Sequence, residues 1–292
     1  GPVEQSMNAW RSYQSAKDSF ASLKALASGT EPDPERIRLP APEGHVSANR
    51  IAFAHEGTRE PLFSDVTFEA SPGTLMGIVG ASGTGKPTLC RILTGVDVAA
   101  RGRVTIDGAD VHQWDREQFG EIVGYLHQQS VFYDGTVAQN IAHFAANPED
   151  EAIIAAAQSV GAHELILQLP DGYSTQVGPH GSRLSGGQTQ LIGLARANFR
   201  NPRILILDEP TAHLDDAGNK HFVAYLIKAL ENKQTVIIAT HDPNIVRLCD
   251  RILLLNGQTG VMQERKAGAK PSQPSAYSGL TPSNPAASLT VV

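Results

Sequence analysis

The sequence contains little cysteine, and this argues against a scaffold held together by disulfides. Of its 292 residues only two are cysteines, Cys90 and Cys249. Both lie among apolar neighbours, in TLCRIL and RLCDRILLL, and no group of Cys and His has the spacing of zinc ligands. We therefore expect both thiols to be free and buried like small apolar side chains.

Long apolar runs and an excess of positive charge are also lacking. No stretch approaches the roughly 18 apolar residues that a membrane-spanning helix needs, and no signal peptide is recognisable. The net charge is -6, so no overall basic field would attract nucleic acid, and we expect no nucleic-acid partner. The chain begins with Gly1-Pro2 rather than Met, which leads us to expect a fragment, a processed product or a tagged form.

Changes in composition divide the chain into four parts. In the first part, 1–28, apolar residues recur every three or four positions and predict a helix over about 5–26. Residues 29–45 are rich in proline and charge and are predicted to form a linker. Residues 46–263 carry the main domain. Residues 264–292 are rich in Pro, Ser, Gly and Ala and are predicted to be disordered, because they offer too little apolar surface to offset chain entropy.

The main domain alternates short apolar strands with helical segments, which is the pattern of an α/β fold. Hydrophobic residues make up 41% of the sequence, enough for a full core. The continuously apolar strands LMGIV, ILIL and VII suit the centre of a sheet that is covered on both faces. Between about Gln129 and Ala197 the periodicity is helical, and we expect an inserted α-helical subdomain there.

A glycine-rich segment follows the strand LMGIVG and precedes a helical stretch that ends near Gly95. It fits the pattern G-x-x-x-x-G-K, the phosphate-binding P-loop, with Lys86 as the fixed lysine. Glycines allow backbone N–H groups to turn inward onto phosphate oxygens, and the helix start adds partial positive charge. The residues predicted to hold nucleotide phosphates are Gly80, Ala81, Ser82, Gly83, Thr84, Gly85, Lys86 and Thr88.

One position departs from this pattern. The residue after the lysine is ordinarily Ser or Thr, whose hydroxyl binds Mg²⁺, and here it is Pro87. Thr88 follows one residue further along the helix, where we expect its side chain to point elsewhere. The sequence therefore predicts a phosphate site that has lost one metal ligand.

Two acidic residues end the apolar strand of RILILDEP. In an open α/β sheet, ligands bind at the carboxyl ends of the strands, so Asp208 and Glu209 are expected beside the P-loop. We predict that Asp208 holds Mg²⁺ and that Glu209 polarises the water that attacks the phosphate.

A second helix start suited to phosphate lies in RLSGGQTQLIGLARA. Ser185 is predicted to cap this helix, and Gly186 and Gly187 expose backbone N–H groups at its first turn. A single nucleotide has no evident way to use both helix starts of one monomer. The sequence therefore favours a second copy of the chain that completes the site, with an ordinary capped helix as the alternative.

The P-loop, LSGGQ and ILILDEP follow one another in that order, as they do in ABC proteins, and residues from about Val46 to Gln263 resemble the nucleotide-binding domain of that family. The resemblance implies a P-loop NTPase core with an inserted helical subdomain, which binds ATP and Mg²⁺ and hydrolyses ATP. It also implies a head-to-tail homodimer that holds ATP between the P-loop of one chain and the LSGGQ segment of the other.

Several further residues take roles from this resemblance. Gln128, in YLHQ, matches the glutamine that touches Mg²⁺ and senses the γ-phosphate, and His241, in ATHDP, matches the histidine that contacts the γ-phosphate. Gln188 completes LSGGQ, and Asp215, in HLDD, matches an aspartate at the dimer seam. His55, in FAHEG, falls where the family usually has a tyrosine that stacks on adenine, and an imidazole can stack with less area.

The segments GADVHQWDREQFGEIVGYLHQ and GAHELILQLPDGYSTQVG resemble the ATPase halves of bacterial type I protein secretion systems. The N-terminal segment VEQSMNAWRSYQSAKDSFASLKAL is similar to the stretch by which their last membrane helix continues into the cytoplasm. The resemblance implies a transmembrane domain upstream, a periplasmic adaptor and an outer-membrane channel. It places the domain on the cytoplasmic face of the bacterial inner membrane.

Two functions stay open at this point. The first is an ATP-hydrolysing motor that drives export of a polypeptide, which the acidic pair and the matched Gln128 and His241 favour. The second is a module that binds nucleotide and dimerises with little or no hydrolysis, which Pro87 favours. A chromosome-maintenance ATPase of the same superfamily would carry a long coiled coil before LSGGQ, and no sustained heptads lie between Lys86 and Ser185.

Overall fold

The computed structural model describes residues 1–28, 38–55, 57–58, 60–256 and 259–264. The chain divides into two compact units, residues 1–38 and residues 39–292. The predicted linker is described only over 38–45. The predicted disordered tail lies outside the described residues, apart from residue 264.

The first unit is built around one long helix, α1 (Pro2–Ser28), which extends the predicted helix at both ends. The large apolar side chains whose spacing predicted this helix are exposed: Met7, Trp10, Tyr13, Phe20 and Leu23. The ring centroids of Trp10 and Tyr13 lie 5.9 Å apart, and the two rings are tilted by 32°. Neither this helix nor any other in the described part of the chain is long and apolar enough to cross a membrane.

The second unit is an α/β domain, as predicted. Its strands are β1 (Val46–Phe53), β2 (Phe63–Ala70), β3 (Leu75–Gly80), β4 (Arg101–Ile106), β5 (Ala109–Asp110), β6 (Val123–Leu126), β7 (Ile204–Asp208), β8 (Thr235–Ala239), β9 (Arg251–Leu255) and β10 (Gly260–Glu264). Its helices are α2 (Lys86–Leu93), α3 (Arg116–Ile122), α4 (Val137–Ile141), α5 (Asp150–Ser159), α6 (His163–Leu167), α7 (Gly186–Ala197), α8 (Asp216–Glu231) and α9 (Pro243–Leu248).

Six strands form a mostly parallel sheet in the order β10-β9-β3-β8-β7-β6. The continuously apolar strands β3, β8 and β7 lie inside this sheet, as predicted. Along β7, Ile204 and Ile206 belong to one core cluster, whereas Leu205 and Leu207 belong to the other. Because the sheet is covered on both faces, apolar side chains are needed at consecutive positions.

A second, antiparallel sheet has the order β2-β1-β4-β5 and contributes to one of the two cores. Phe68 and Val104 of this sheet share that core with Leu89 of α2 and with Met76 of β3. The other core holds the apolar faces of α5, α7 and α8. Each core contains one of the two cysteines, and both are buried outside any disulfide, as predicted.

The stretch 129–197, predicted as an inserted helical subdomain, contains α4, α5, α6 and α7, two short 3₁₀ turns and one isolated β-bridge. Helix α4 begins with a capping box, in which the Thr136 side chain accepts a hydrogen bond from the Gln139 N–H and the Gln139 side chain accepts one from the Thr136 N–H. Helix α7 begins with the same device. The capping side chains therefore fix where both helices start.

The apolar pattern of EIVGYL predicts one strand, but the segment is divided between two elements. Helix α3 runs to Ile122, and β6 begins only at Val123. Asp115 caps α3, because its carboxylate accepts a hydrogen bond from the Gln118 N–H at 3.0 Å. This cap fixes the start of α3 and stabilises its first turn, and the helix continues through the first two residues of EIVGYL.

Parallel pairing places the carboxyl ends of three strands at one edge. Ala239, the last residue of β8, pairs with Asp208 at the end of β7 and with Ile78 near the end of β3. From this edge the chain continues into the P-loop, into Glu209 and into the loop that carries His241. The fold thereby brings together segments that are far apart in sequence.

Candidate active site

A cleft of about 300 Å³ lies at the carboxyl edge of β3, β7 and β8. Its walls combine residues of the P-loop, the acidic pair and three separate loops. The lining residues are His55, Leu62, Ser82, Gly83, Gly85, Lys86, Pro87, Thr88, Gln128, Asp208, Glu209 and His241. The size and the mixture of cations, anions and polar groups suit a polar, charged ligand.

The P-loop connects β3 to α2 in a strained conformation that requires glycine. Gly85 precedes α2 with φ 91°, in the left-handed region that favours glycine. A Cβ on Gly85 would lie 2.7 Å from Leu62 Cδ2, so no larger residue fits. The first N–H groups of α2 lack intrahelical partners and are available to phosphate oxygens.

Three residues of the predicted phosphate-binding set, Gly80, Ala81 and Thr84, are not among those that line the cleft. The Thr84 hydroxyl donates to the Ala81 carbonyl at 2.9 Å. The Gly80 carbonyl accepts a hydrogen bond from Lys86 at 2.8 Å. These residues therefore hold the loop in shape, while Ser82, Gly83 and Gly85 line its inner wall.

Lys86 is buried beside two carboxylates. The residue is 5% exposed. Burial lowers the pKa of Lys86, while the carboxylates of Glu209 and Asp208 act in the opposite direction. The Nζ lies 3.0 Å from His241 Nε2. The predicted phosphate-binding cation thus lies in the wall of the cleft, bonded to Gly80 and to His241.

Asp208 is a buried carboxylate, and neither of its oxygens has a hydrogen-bond partner. Burial raises the pKa of Asp208 to about 6, with a further contribution from Glu209, while Lys86 acts to lower it. Burial of an ionised carboxylate without partners lowers the stability of the folded protein unless a cation binds it. Its chemistry therefore fits Mg²⁺, which prefers carboxylate oxygen and retains several waters.

Glu209 and His241 are in contact across the cleft. His241 Nε2 lies 3.2 Å from Glu209 Oε1, and the His241 backbone N–H donates to Glu209 Oε2 at 3.4 Å. Glu209 has φ 48°, an uncommon conformation for a residue with a side chain. The Glu209 N–H donates to the Ala239 carbonyl at 2.8 Å, so pairing with the end of β8 holds this strained residue in place.

Three other predicted residues also line the cleft. Gln128 is exposed and follows β6. His55 is exposed, and its ring stands at 90° to that of Phe53 with 5.4 Å between the ring centroids. Thr88, one of the predicted phosphate-binding residues, is buried and lines the cleft. A helix places consecutive residues about 100° apart, and here both Pro87 and Thr88 border the opening.

The LSGGQ residues form a separate group that does not line the cleft. Ser185 caps α7 by accepting a hydrogen bond from the Gln188 N–H, and the Gln188 side chain accepts one from the Ser185 N–H at 2.8 Å. Gly186 lies against His213, since a Cβ on Gly186 would be 3.5 Å from its ring. Asp215 caps α8 by accepting from the Gly218 N–H at 2.7 Å.

Two features of the cleft were not predicted from the sequence. Leu62 forms part of the wall, and no pattern in the turn before β2 marks it. The contact between Lys86 and His241 joins residues 155 positions apart. Only the parallel pairing of β3 with β8 brings them together, and sequence spacing carries no signal of that distance.

The sequence pattern of the ABC transporter family matches residues 63–212. The chain is 36% identical over 255 residues to the type I secretion system ATP-binding protein PrsD of Rhizobium meliloti. This match covers 87% of this chain and 44% of PrsD. The chain is also 37% identical over 257 residues to the cyclolysin secretion/processing ATP-binding protein CyaB of Bordetella pertussis (strain Tohama I). This match covers 88% of this chain and 36% of CyaB.

A solved structure of a bacterial Atm1-family ABC exporter with ATP bound is similar in fold. The TM-score is 0.74 at 27% sequence identity, and the match covers 86% of this chain and 45% of that one. The chain thus spans less than half the length of these relatives.

Substitution of Asp208 tests the cost of its burial. Its pKa is raised from 3.8 to about 6, so the folded state holds the proton more tightly than the unfolded state. The resulting contribution to the free energy of unfolding is complete below about pH 4 and is lost as the pH rises through about 6. Asp208→Asn removes the charge and keeps the shape. We expect it to be more stable than wild type by about 2 kcal/mol at pH 7.5, with no difference near pH 4.

Urea unfolding in the presence of a chelator, without nucleotide, measures this difference across the pH range. Asp134→Asn, which changes an exposed carboxylate, is the matched control and should show no such pH dependence. An Asp208→Asn variant that is no more stable than wild type at pH 7.5 would contradict the assignment of a buried, unpartnered carboxylate.

Proposed function

The chain belongs to the ABC transporter family, and on this premise we propose that residues 46–263 are the ATP-binding and ATP-hydrolysing motor domain of an exporter. The observation that best supports this is the convergence of Lys86, Asp208, Glu209 and His241 on one cleft. A cation for phosphates, a buried carboxylate for a metal ion and a second carboxylate for water are the parts that phosphoryl transfer requires.

Binding of ATP begins with the P-loop. The N–H groups of the loop and of the first turn of α2 surround the phosphates, and Lys86 contacts the β- and γ-phosphates as a point charge. The positive end of the α2 dipole adds to this attraction. Adenine stacks against the exposed His55 ring, which the ring of Phe53 supports from the side.

A divalent ion would be held by Asp208 and Gln128, and we propose Mg²⁺. When bound, Mg²⁺ neutralises charge that develops on the β- and γ-phosphates. The unpartnered oxygens of Asp208 support this role, because ion binding would relieve the cost of their burial.

Hydrolysis requires that a water be oriented and deprotonated. Glu209 is suited to accept the proton of the attacking water, since its carboxylate lines the cleft next to Asp208 and is partly exposed. His241 is suited to donate a hydrogen bond to the γ-phosphate, and Gln128 to sense the γ-phosphate from the opposite loop. The strained backbone at Glu209 fixes the direction of its side chain.

The complete site is proposed to need two copies of the chain. Ser185, Gly186, Gly187 and Gln188 lie at an exposed helix start outside the cleft, although their N–H groups are suited to phosphate. We propose a head-to-tail dimer in which these residues of one copy contact the ATP held by the P-loop of the other. Asp215 would then lie at the seam between the copies.

The names of the relatives support a role in export. PrsD and CyaB are secretion ATP-binding proteins, and each is more than twice as long as the stretch matched here. We propose that the motor works with a transmembrane domain of the same exporter at the cytoplasmic face of the bacterial inner membrane. A type I secretion system would add a periplasmic adaptor and an outer-membrane channel.

Pro87 favours a second candidate function, a nucleotide-binding and dimerisation module with slow hydrolysis. Pro87 is the second residue of α2, where proline is compatible with the helix. It removes one N–H donor to phosphate and the hydroxyl that ordinarily binds the metal. The intact Glu209 and His241 support the motor over this alternative.

Lys86→Ala tests nucleotide binding at the cleft. A charge-assisted contact to phosphate contributes roughly 1.5–3 kcal/mol, so we expect ATP affinity to fall by about ten- to a hundredfold. Titration calorimetry measures the affinity of both proteins. Lys220→Ala, which removes an exposed lysine of α8, should leave it unchanged. Equal affinity of Lys86→Ala and wild type would refute the assignment of the cleft.

Pro87→Ser tests the missing metal ligand. We expect the rate of ATP hydrolysis at low Mg²⁺ to rise by about tenfold, or roughly 1.4 kcal/mol in the barrier, because a restored hydroxyl fixes the ion more firmly. The thermal midpoint of the nucleotide-free protein should move little. Steady-state phosphate release across a Mg²⁺ titration gives the result.

Pro87→Ala separates the two defects, since it restores the N–H without the hydroxyl. We expect Pro87→Ala to recover less ATPase activity than Pro87→Ser. The difference in hydrolysis rate between the two variants should disappear at high Mg²⁺. Identical rates for wild type and Pro87→Ser at every Mg²⁺ concentration would mean that Thr88 or water replaces the ligand fully.

A further inference from the structure

The Lys86 ammonium uses all of its hydrogen-bonding capacity inside the protein. An ammonium has three N–H donors, and Nζ has three acceptors within reach. The Gly80 carbonyl lies at 2.8 Å, the Ala81 carbonyl at 3.3 Å and His241 Nε2 at 3.0 Å. Because the residue is 5% exposed, little water can take the place of a lost partner. A nucleotide that draws Lys86 onto its phosphates must therefore break at least one of these bonds.

The three acceptors are not equivalent. Gly80 and Ala81 belong to the same loop as Lys86 and stay beside it. His241 belongs to the loop after β8 and reaches Lys86 from another wall of the cleft. The Lys86–His241 bond is therefore the one of the three that joins two separate segments of the cleft lining.

His241 Nε2 cannot serve both of its neighbours at once. To accept from Lys86 the nitrogen must carry no proton, whereas to donate to Glu209 Oε1 at 3.2 Å it must carry one. The same nitrogen must also carry a proton to donate to a phosphate oxygen. The ring is 54% exposed, so solvent can exchange the proton between the two ring nitrogens when Lys86 leaves.

We infer that His241 sets the preference of this site for ATP over ADP by holding Lys86 in the empty cleft. The inference rests on the proposed function and adds a specificity role to it. Both nucleotides break the Lys86–His241 bond. ATP replaces it, since its γ-phosphate offers an oxygen to His241, but ADP has no γ-phosphate and leaves His241 without that partner. ADP therefore binds less tightly than its phosphates alone would allow, and its release after hydrolysis is favoured.

The test compares the affinities of ADP and of a non-hydrolysable ATP analogue, with Mg²⁺, for wild type, His241→Ala and His241→Gln. In His241→Ala the Lys86 ammonium loses the bond that ADP must break. We expect ADP to bind about three- to tenfold more tightly, a range that allows for the half-exposed ring. In His241→Gln the amide oxygen can still accept from Lys86, so ADP affinity should stay close to that of wild type.

Analogue binding separates this role from simple contact with the γ-phosphate. Loss of that contact alone would weaken the analogue and leave ADP unchanged, whereas the inferred role requires that ADP affinity itself increase. His112→Ala, which removes an exposed histidine outside the cleft, is the matched control and should leave both affinities unchanged. Equal thermal midpoints establish that the variants are folded.

Two results would overturn the inference while the proposed function stands. One is an ADP affinity of His241→Ala equal to or weaker than that of wild type. The other is equal tightening of ADP in His241→Ala and His241→Gln, which would assign the effect to ring size rather than to the bond with Lys86. Failure of wild type to bind the ATP analogue would instead overturn the proposed function, and the inference with it.

Discussion

Parallel pairing of β3, β8 and β7 is the constraint on which the site depends. The pairing aligns Ile78, Ala239 and Asp208 across the sheet. Two further hydrogen bonds along the same edge fix the residues that leave β8 and β7, since the Thr240 N–H donates to the Ile78 carbonyl and the Glu209 N–H to the Ala239 carbonyl. Segments separated by more than a hundred residues thereby reach one cleft. Any slip of register would move the acidic pair away from the P-loop.

The same edge concentrates charge that the fold alone does not stabilise. Lys86 and Asp208 are both buried. Burial lowers the pKa of Lys86 and raises the pKa of Asp208, so it favours the neutral form of each side chain. Lys86 recovers part of this cost through its bonds to Gly80, Ala81 and His241, but the oxygens of Asp208 have no such partners. An arrangement of this kind lowers the stability of the empty protein and raises its affinity for ligands that bring the missing charges.

Much of the fold and of the cleft could be predicted from the sequence, because the informative signals are local. Continuous apolar runs marked β3, β7 and β8 as internal strands, and glycine spacing with Lys86 marked the phosphate loop. Long-range geometry left no such trace. The Lys86–His241 bond and the place of Leu62 in the wall depend on tertiary pairing. Nor do the strand-like residues of EIVGYL mark the boundary at Ile122, where α3 ends and β6 begins at Val123.

The cleft is proposed to be one half of a site that a second copy completes, and the oligomeric state of Glu209→Gln with ATP tests this most directly. This variant removes the base, keeps the shape and should trap the ATP-bound state. Light scattering after size-exclusion chromatography should find monomers without nucleotide and dimers with ATP and Mg²⁺. Adding Ser185→Arg, which places a bulky side chain at the start of α7, should return the protein to monomers. If Glu209→Gln stays monomeric at high protein concentration while calorimetry shows that ATP is bound, the head-to-tail dimer is contradicted.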